Sequence, residues 1–479
     1  MDRFNSYIQR NNLQPKEYQF DGVQWCLNNE LCQQPPCNTR GGFIADEMGL
    51  GKTILMIGTM ISNLLPNTLI VLPPVLIEQW RDKIFTTTGH QPLVYHGHHK
   101  KKITLQNLQK APIVITTYGA ITLTKQQQTD KSLTILHQFL WSRIIFDEAH
   151  HLRNKKTALY NSTMLLQTKI TWLVSGTPIQ NKKNDFYTLC SILRLQSSFY
   201  TDFNNLHLLA KHFILKRTKK QVGLQLPLIS VENTIVEWQN ENEKLISKQL
   251  HSELSFSNVQ LSNSGPITNA IIQSHGGNRG VKLSILTKAK QTCVLPRLLL
   301  PTLYKLAVDG FLPNYESYKQ SLLHSSKLDA LLQSIIDRKD NGNGKLVFCH
   351  YKQEMTHIAD KLLQSNISVK IIDGRKTTVQ RNIILQQANQ VLLLQIQTGC
   401  EGLNLQDNYN EVYFVTPHWN PAVEDQAIAR CHRIGQTKPV YVARFEMQSF
   451  KDVEPTKTID NYVTTIQNHK REIANEYMP

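Results

Sequence analysis

Ten short apolar runs, five in each half of the chain, constrain the fold more tightly than any other feature of the sequence. The first half contains GGFIA (41–45), TLIVLP (68–73), PIVITT (112–117), RIIFD (143–147) and TWLVS (171–175). The second contains KLVFCH (345–350), SVKIID (368–373), VLLLQI (391–396), EVYFVT (411–416) and VYVARF (440–445). Runs of branched aliphatic residues without polar alternation suit strands buried on both faces, hence parallel sheets covered by helices. Helical stretches such as 53–65 and 354–364 lie between them. The expected fold class is therefore α/β, with two lobes built on parallel sheets.

Between the lobes, over 181–325, the strand pattern disappears. ENEKLISKQLHSEL (241–254) reads as a helix, and the polar, Gly-rich SNSGPITNAIIQSHGGNRG (262–280) places a mobile loop near 255–280. The last segment, 459–478, reads as one amphipathic helix. The four expected regions are 1–180, 181–325, 326–447 and 448–479.

With 479 residues, 41% of them apolar and 19% charged, the chain is too long for one domain and is neither a coiled-coil rod nor wholly disordered. No apolar run approaches the length needed to cross a bilayer, and MDRFNSYIQRNN has no signal-peptide core. Eight cysteines without a CxxC pair point to reduced intracellular thiols and to no zinc site. Lys plus Arg number 53 against 37 Asp plus Glu, a formal charge of +16, which favours a polyanionic partner and nucleic acid first.

Two segments carry the chemistry. Asp46-Glu47-Met48-Gly49-Leu50-Gly51-Lys52-Thr53 follows an apolar strand and opens a helix, the setting of a phosphate-binding loop. Lys52 is suited to the β- and γ-phosphates and Thr53 to Mg²⁺. Asp46 stands where the general pattern has its first glycine. In RIIFDEAH (143–150) an apolar strand delivers two adjacent carboxylates to its end. Asp147 suits the Mg²⁺ shell, and Glu148 can deprotonate the attacking water. Together they predict binding and hydrolysis of ATP with Mg²⁺.

ADEMGLGKT, FDEAHHLRN, SGTPIQN and QAIARCHRIGQ, in that order, resemble the Swi/Snf-type DNA-dependent ATPases, duplex-DNA translocases of helicase superfamily two. The resemblance runs nearly end to end. It implies that the two lobes, 1–180 and 326–447, are RecA-like, with ATP between them and a C-terminal brace helix. It makes Gln19 the adenine-sensing residue, although Leu13, Pro15, Tyr18 and Gln19 are spaced two residues wider than usual. Arg430 and Arg433 match the arginine fingers, with Gly402 and Gln436 in the same closed interface. His150, Ser175 and Thr177 are implied to couple the lobes.

The resemblance also assigns DNA contacts to loops at the carboxyl ends of both sheets. These are Gln79, Trp80, Arg81, Thr116, Thr117 and Tyr118 in the first lobe. In the second they are Tyr351, Arg375, Gln397, Thr398 and Trp419. Hydroxyls, amides and arginines at such loops suit phosphates and carry no sequence code. Cys400 departs from the family's small residues before GLNL, which bears on DNA coupling. The basic stretch Lys216-Arg217-Thr218-Lys219-Lys220 resembles an interlobe, DNA-facing element.

The implied activity is ATP-driven translocation on double-stranded DNA by a monomeric motor, displacing nucleosomes, transcription machinery or other bound proteins. No bromodomain, chromodomain or SANT-type module is expected. The expected location is a DNA-containing compartment such as the nucleus. An unwinding DEAH-type helicase is disfavoured by HRIGQ and by the WNP segment, and a catalytically silent DNA clamp by the intact site residues.

Overall fold

The computed structural model describes residues 1–130, 132–177, 182–259, 265–275, 280–313, 315–387, 389–399, 403–450 and 456–477. The chain divides into two compact units, Met1–Gln225 with Lys470–Pro479, and Leu226–His469.

The first unit contains β1 (Gly41–Ile44), β2 (Thr68–Leu72), β3 (Leu93–Tyr95), β4 (Ile113–Thr117), β5 (Leu140–Trp141), β6 (Arg143–Asp147), β7 (Gln167–Thr168), β8 (Thr171–Val174) and β9 (Ile214–Leu215). Seven of these form one sheet in the order β3-β4-β2-β6-β8-β1-β9, with every recorded pairing parallel. Alternate residues of each strand enter two separate apolar layers. Phe43, Leu69, Val71, Val114, Ile144 and Phe146 face one layer. Ile44, Ile70, Leu72, Ile115, Ile145 and Val174 face the other. Side chains alternate across a strand, so a sheet covered on both faces requires an apolar residue at every position. That requirement explains the unbroken runs in the sequence.

The second unit contains β10 (Ile229–Val236), β11 (Lys345–Cys349), β12 (Val369–Ile372), β13 (Val391–Gln395), β14 (Glu411–Phe414) and β15 (Val440–Met447). They form a parallel sheet in the order β10-β15-β14-β11-β13-β12. A third apolar cluster joins helices Glu241–His251, Pro266–Ser274, Val281–Val294 and Leu300–Val308. The described residues thus form an α/β protein with two large parallel sheets, a two-stranded parallel pair β5-β7 and added helices.

All ten expected strands are present, but the region between the lobes differs from expectation in two places. It is not free of strands: β9 pairs with β1 in the first sheet, and β10 pairs along its whole length with β15, from Ile229↔Val440 to Val236↔Met447. As an edge strand it buries only Val236, so its polar sequence gives no apolar run. The Gly-rich stretch is not all loop either. Pro266–Ser274 is a helix, with Pro at its start and Ile267, Thr268, Ala270 and Ile271 buried. The segments on either side, 260–264 and 276–279, lie outside the described residues. The final segment forms helix Ile459–Tyr477.

Candidate functional site

Because β6, β8 and β1 are neighbours in the first sheet, their carboxyl ends bring together residues 46–53, 147–150 and 175–177. The loop after β1 turns at Gly49 (φ +95°) and Gly51 (φ +84°), left-handed conformations that favour glycine. Helix Lys52–Ser62 starts at once, so the amides of its first turn lie beside the loop. Gln19, buried on helix Glu17–Leu31, donates its amide to Leu50 O at 3.3 Å. A Cβ on Gly51 would lie 2.7 Å from that amide nitrogen. Lys52 Nζ donates to Asp46 O at 2.9 Å. A Cβ on Gly176 would lie 3.1 Å from Lys52 Nζ and 2.9 Å from Met48 Cγ, so glycine at that turn leaves room for the ammonium.

Asp147 ends β6, and Glu148 follows in the left-handed region at φ +52°, a conformation that is costly outside glycine and is held by its surroundings. Asp147 is nearly buried, and its Oδ2 accepts from Trp80 Nε1 at 2.7 Å while Oδ1 accepts from Glu148 N at 3.0 Å. Burial first and the Glu148 charge second push its pKa up to about 7, against the Trp80 bond that favours the ionised form. Tyr118 Oη donates to Asp147 O at 2.6 Å. His150 Nδ1 lies 3.3 Å from Glu148 Oε2 and 3.2 Å from Ser175 Oγ, and Ser175 Oγ accepts from Thr177 N at 3.2 Å. The residues expected to couple nucleotide to motion therefore meet in one chain of contacts.

This donor set suits a divalent cation. Two adjacent carboxylates, one of them nearly buried with a raised pKa, leave negative charge that a cation would relieve, and Thr53 lies in the first turn of the adjoining helix. Among the described residues no group of three or more His, Cys, Asp and Glu side chains could hold a metal alone. Phosphate oxygens would have to complete the shell, as is usual for Mg²⁺.

Several residues expected to face DNA are directed inward. Trp80 is 1% exposed and bound to Asp147. Thr116 is buried and donates to Tyr95 O at 2.9 Å. Thr117 is buried with His96 Nδ1 at 3.3 Å from its hydroxyl, and Tyr118 is buried as described above. Gln79 is half-buried, and Arg81 is partly exposed, with ion pairs to Glu78 and Asp82.

In the second unit, Arg375 is largely exposed, its guanidinium held by Asp373, and Gln397 is exposed on helix Ile396–Gly399. Tyr351 opens helix Lys352–Gln364. Trp419 is half-buried, edge-on to Tyr462, with Lys290 Nζ 6.0 Å from its ring centroid. Cys400, Gly402 and the Thr398 side chain lie outside the described residues.

Arg430 and Arg433 also belong to the second unit. Arg433 Nη1 donates to Asn404 Oδ1, and burial followed by the nearby Arg430 charge lowers its pKa. Gln436 is buried. Its amide nitrogen donates to Gln406 O, Tyr409 O and Cys431 O, and its oxygen accepts from the Thr437 and Lys438 amides. Its visible work is to fasten main chain within the second unit.

Sequence reasoning missed that Arg217 and Lys219 bind Asp46 and Glu47, the first residues of the Asp46–Thr53 loop. The signal was the basic stretch 216–220, read as an interlobe, DNA-facing element. It also missed that Trp80 and Tyr118 support Asp147, which no local pattern reveals.

Residues 18–298 match the SNF2-related domain and residues 326–435 the helicase conserved C-terminal domain. A probable global transactivator of Orgyia pseudotsugata multicapsid polyhedrosis virus is 27% identical over 96% of this chain and 90% of its own length. An uncharacterized ATP-dependent helicase of Mycoplasma genitalium is also 27% identical, over 97% of this chain but only 42% of its own. The Pyrococcus furiosus Hef helicase domain shares the fold at TM-score 0.56 and 18% identity, covering 92% of this chain and 97% of that one.

Proposed function

The chain belongs to the SNF2-related family of ATP-dependent, helicase-type enzymes, and from that premise we propose that it is a double-stranded-DNA translocase that displaces or remodels proteins bound to duplex. The observation that carries the nucleotide part of this reading is the convergence of Asp46–Thr53 with Asp147 and Glu148 at neighbouring strand ends. The functional division assigns nucleotide binding to lobe 1–180 and a second RecA-like lobe to 326–447. Residues 181–325 join them, and helix Ile459–Tyr477 is the proposed C-terminal brace.

In the proposed reaction the loop amides and the Lys52 ammonium hold the β- and γ-phosphates, while Gln19 reads the adenine edge. Thr53 and Asp147 would hold Mg²⁺, which when bound neutralises charge building on the phosphate oxygens. Glu148 orients the attacking water and takes its proton. Trp80 and Tyr118 keep Asp147 in place. Arg430 and Arg433, delivered by the second unit, stabilise the charge of the transferring phosphoryl group, so that hydrolysis depends on the units coming together. His150, Ser175 and Thr177 pass the state of Glu148 onward.

Family membership and the excess of basic residues support a DNA partner. The exposed or partly exposed Arg81, Arg375 and Gln397 are the side chains best presented to phosphates. Nucleosomes or transcription complexes are the proposed obstacles, and a nucleus or other DNA-containing compartment the proposed setting.

The deciding assay compares steady-state ATPase with duplex DNA, single-stranded DNA, RNA and nucleosomes. Duplex and nucleosomal DNA are expected to stimulate most, with stimulation falling steeply as salt rises. Stimulation by RNA alone would overturn the duplex reading.

A further inference from the structure

The phosphate loop begins with two acids, Asp46 and Glu47, close to the position where a triphosphate must bind. Asp46 is 1% exposed, so water does little to screen its carboxylate. Its counter-charge comes from far along the chain. Arg217 Nε lies 3.0 Å from Asp46 Oδ1 and Arg217 Nη2 lies 2.5 Å from Oδ2, a two-pronged contact. Arg217 Nη1 donates to Tyr18 O, and its guanidinium carbon lies 5.5 Å from the Tyr18 ring centroid.

Glu47 is held as well, through main chain and side chain. Its N–H donates to Arg217 O at 2.9 Å, its Oε2 accepts from Lys219 N at 2.8 Å, and its Oε1 lies 3.3 Å from Lys219 Nζ. Ala45 N donates to Leu215 O at 2.8 Å, so the pairing of β1 with β9 runs on into the loop. Gly22 keeps the path open, because a Cβ there would lie 2.8 Å from Arg217 Nη2 and 2.6 Å from Leu55 Cδ1.

We infer that Arg217, assisted by Lys219, is the positioning residue that allows the Asp46–Thr53 loop to accept a triphosphate, by neutralising the loop's own acids and fixing their direction. Without it the Asp46 carboxylate faces the incoming phosphates uncompensated and competes for Lys52, whose ammonium already binds the Asp46 carbonyl. The same guanidinium fastens Tyr18, beside the adenine-reading Gln19, to the loop. Base and phosphate recognition are thereby set by one group. This role rests on the nucleotide reading proposed above.

The test measures the affinity of the full chain for a fluorescent ATP analogue, alongside thermal melting of each variant. Arg217→Ala is expected to weaken binding by ~10-fold or more, and Arg217→Lys by less, since an ammonium makes one contact where the guanidinium makes two. Asp46→Asn, which removes the loop's own buried negative charge, is expected to tighten binding by ~2-fold or more. The double variant Asp46→Asn/Arg217→Ala is expected to recover most of what Arg217→Ala loses.

A merely structural ion pair would make both single substitutions lose affinity alike and would leave the double variant no better than Arg217→Ala. Either result overturns the inference. If Arg217→Ala does not fold, the opposite signs expected for Arg217→Lys and Asp46→Asn still decide. Absence of binding by the wild-type chain would instead defeat the nucleotide site itself.

Discussion

The carboxyl ends of β1, β6 and β8 in the first unit and those of β11 and β14 in the second rise from the same parallel scaffold but are finished differently. In the first, Asp147 and Glu148 stand side by side, and Asp147 is pushed up to about 7 by burial and by its neighbour. In the second, Glu424 accepts from His418 N at 2.9 Å, Gln467 Nε2 at 2.7 Å and Arg444 Nε at 3.0 Å. There Lys290 reaches Pro417 O at 3.3 Å and His350 Nε2 at 3.4 Å, and the His350 and His418 rings stack 5.6 Å apart. The second cluster pairs Glu424 with Arg444, whereas the first sets two acids side by side, the arrangement that a divalent cation suits. Substitutions in the first should therefore alter chemistry, and those in the second stability.

The largest effect expected is at Glu148. Glu148→Gln keeps the shape and removes the base, so DNA-stimulated turnover should fall by about 10³-fold with nucleotide affinity preserved. Unchanged turnover would assign the base elsewhere. Arg433→Ala comes next and tests whether the second unit contributes to chemistry at all. ATP affinity should stay within about threefold of wild type while turnover drops by about 10³-fold. An equal loss of affinity and melting temperature would place Arg433 with the stabilising residues of its own unit, through its bond to Asn404.

A smaller effect is expected at Trp80, where the indole bond to Asp147 favours the ionised carboxylate. Trp80→Phe preserves the ring and removes the N–H, so the Asp147 pKa should rise further above its ordinary value. The acid limb of the rate profile should then move to higher pH. Near pH 7 turnover should fall by ~3–10-fold and recover at more alkaline pH. If Trp80 serves DNA instead, the variant will lose DNA affinity at every pH and leave the limb in place.

The same comparison marks what the sequence makes legible. Strands buried on both faces declare themselves, because each of their residues must be apolar, as in Ile144-Ile145-Phe146. The Asp46–Thr53 loop proposed for phosphate and the paired acids are equally plain, since the chemistry proposed for them depends on residues adjacent in the chain. What stays hidden depends on long-range contact or on a single buried face. Arg217 reaches Asp46 across 171 positions, and Trp80 reaches Asp147 across 67. β10 is ordered by β15 and not by its own polar residues. Helix Pro266–Ser274 buries Ile267, Thr268, Ala270 and Ile271, too short a stripe to outweigh the Gly-rich flanks.

The smallest effect expected probes the second unit. Glu354 is buried, and its Oε2 accepts from the His350 and Tyr351 amides at 3.0 and 2.8 Å, while Oε1 has no partner among the described residues. Burial pushes its pKa up to about 7 from the ordinary 4.5, against those two bonds. A carboxyl whose pKa is raised by folding takes up a proton as the chain folds. The cost of ionising it is absent below about pH 4.5, grows as pH rises, and is fully present above about pH 7. Glu354→Gln keeps an oxygen for the two amides and cannot ionise. It should melt ~2–4 °C above wild type at pH 8, a gain that fades towards pH 5, with ATPase turnover unchanged at both. The same change of Glu to Gln at position 148 should do the reverse, sparing stability and stopping turnover. Loss of turnover in Glu354→Gln without a change in melting would mean that the second cluster takes part in the chemistry, and the contrast between the two units would fail.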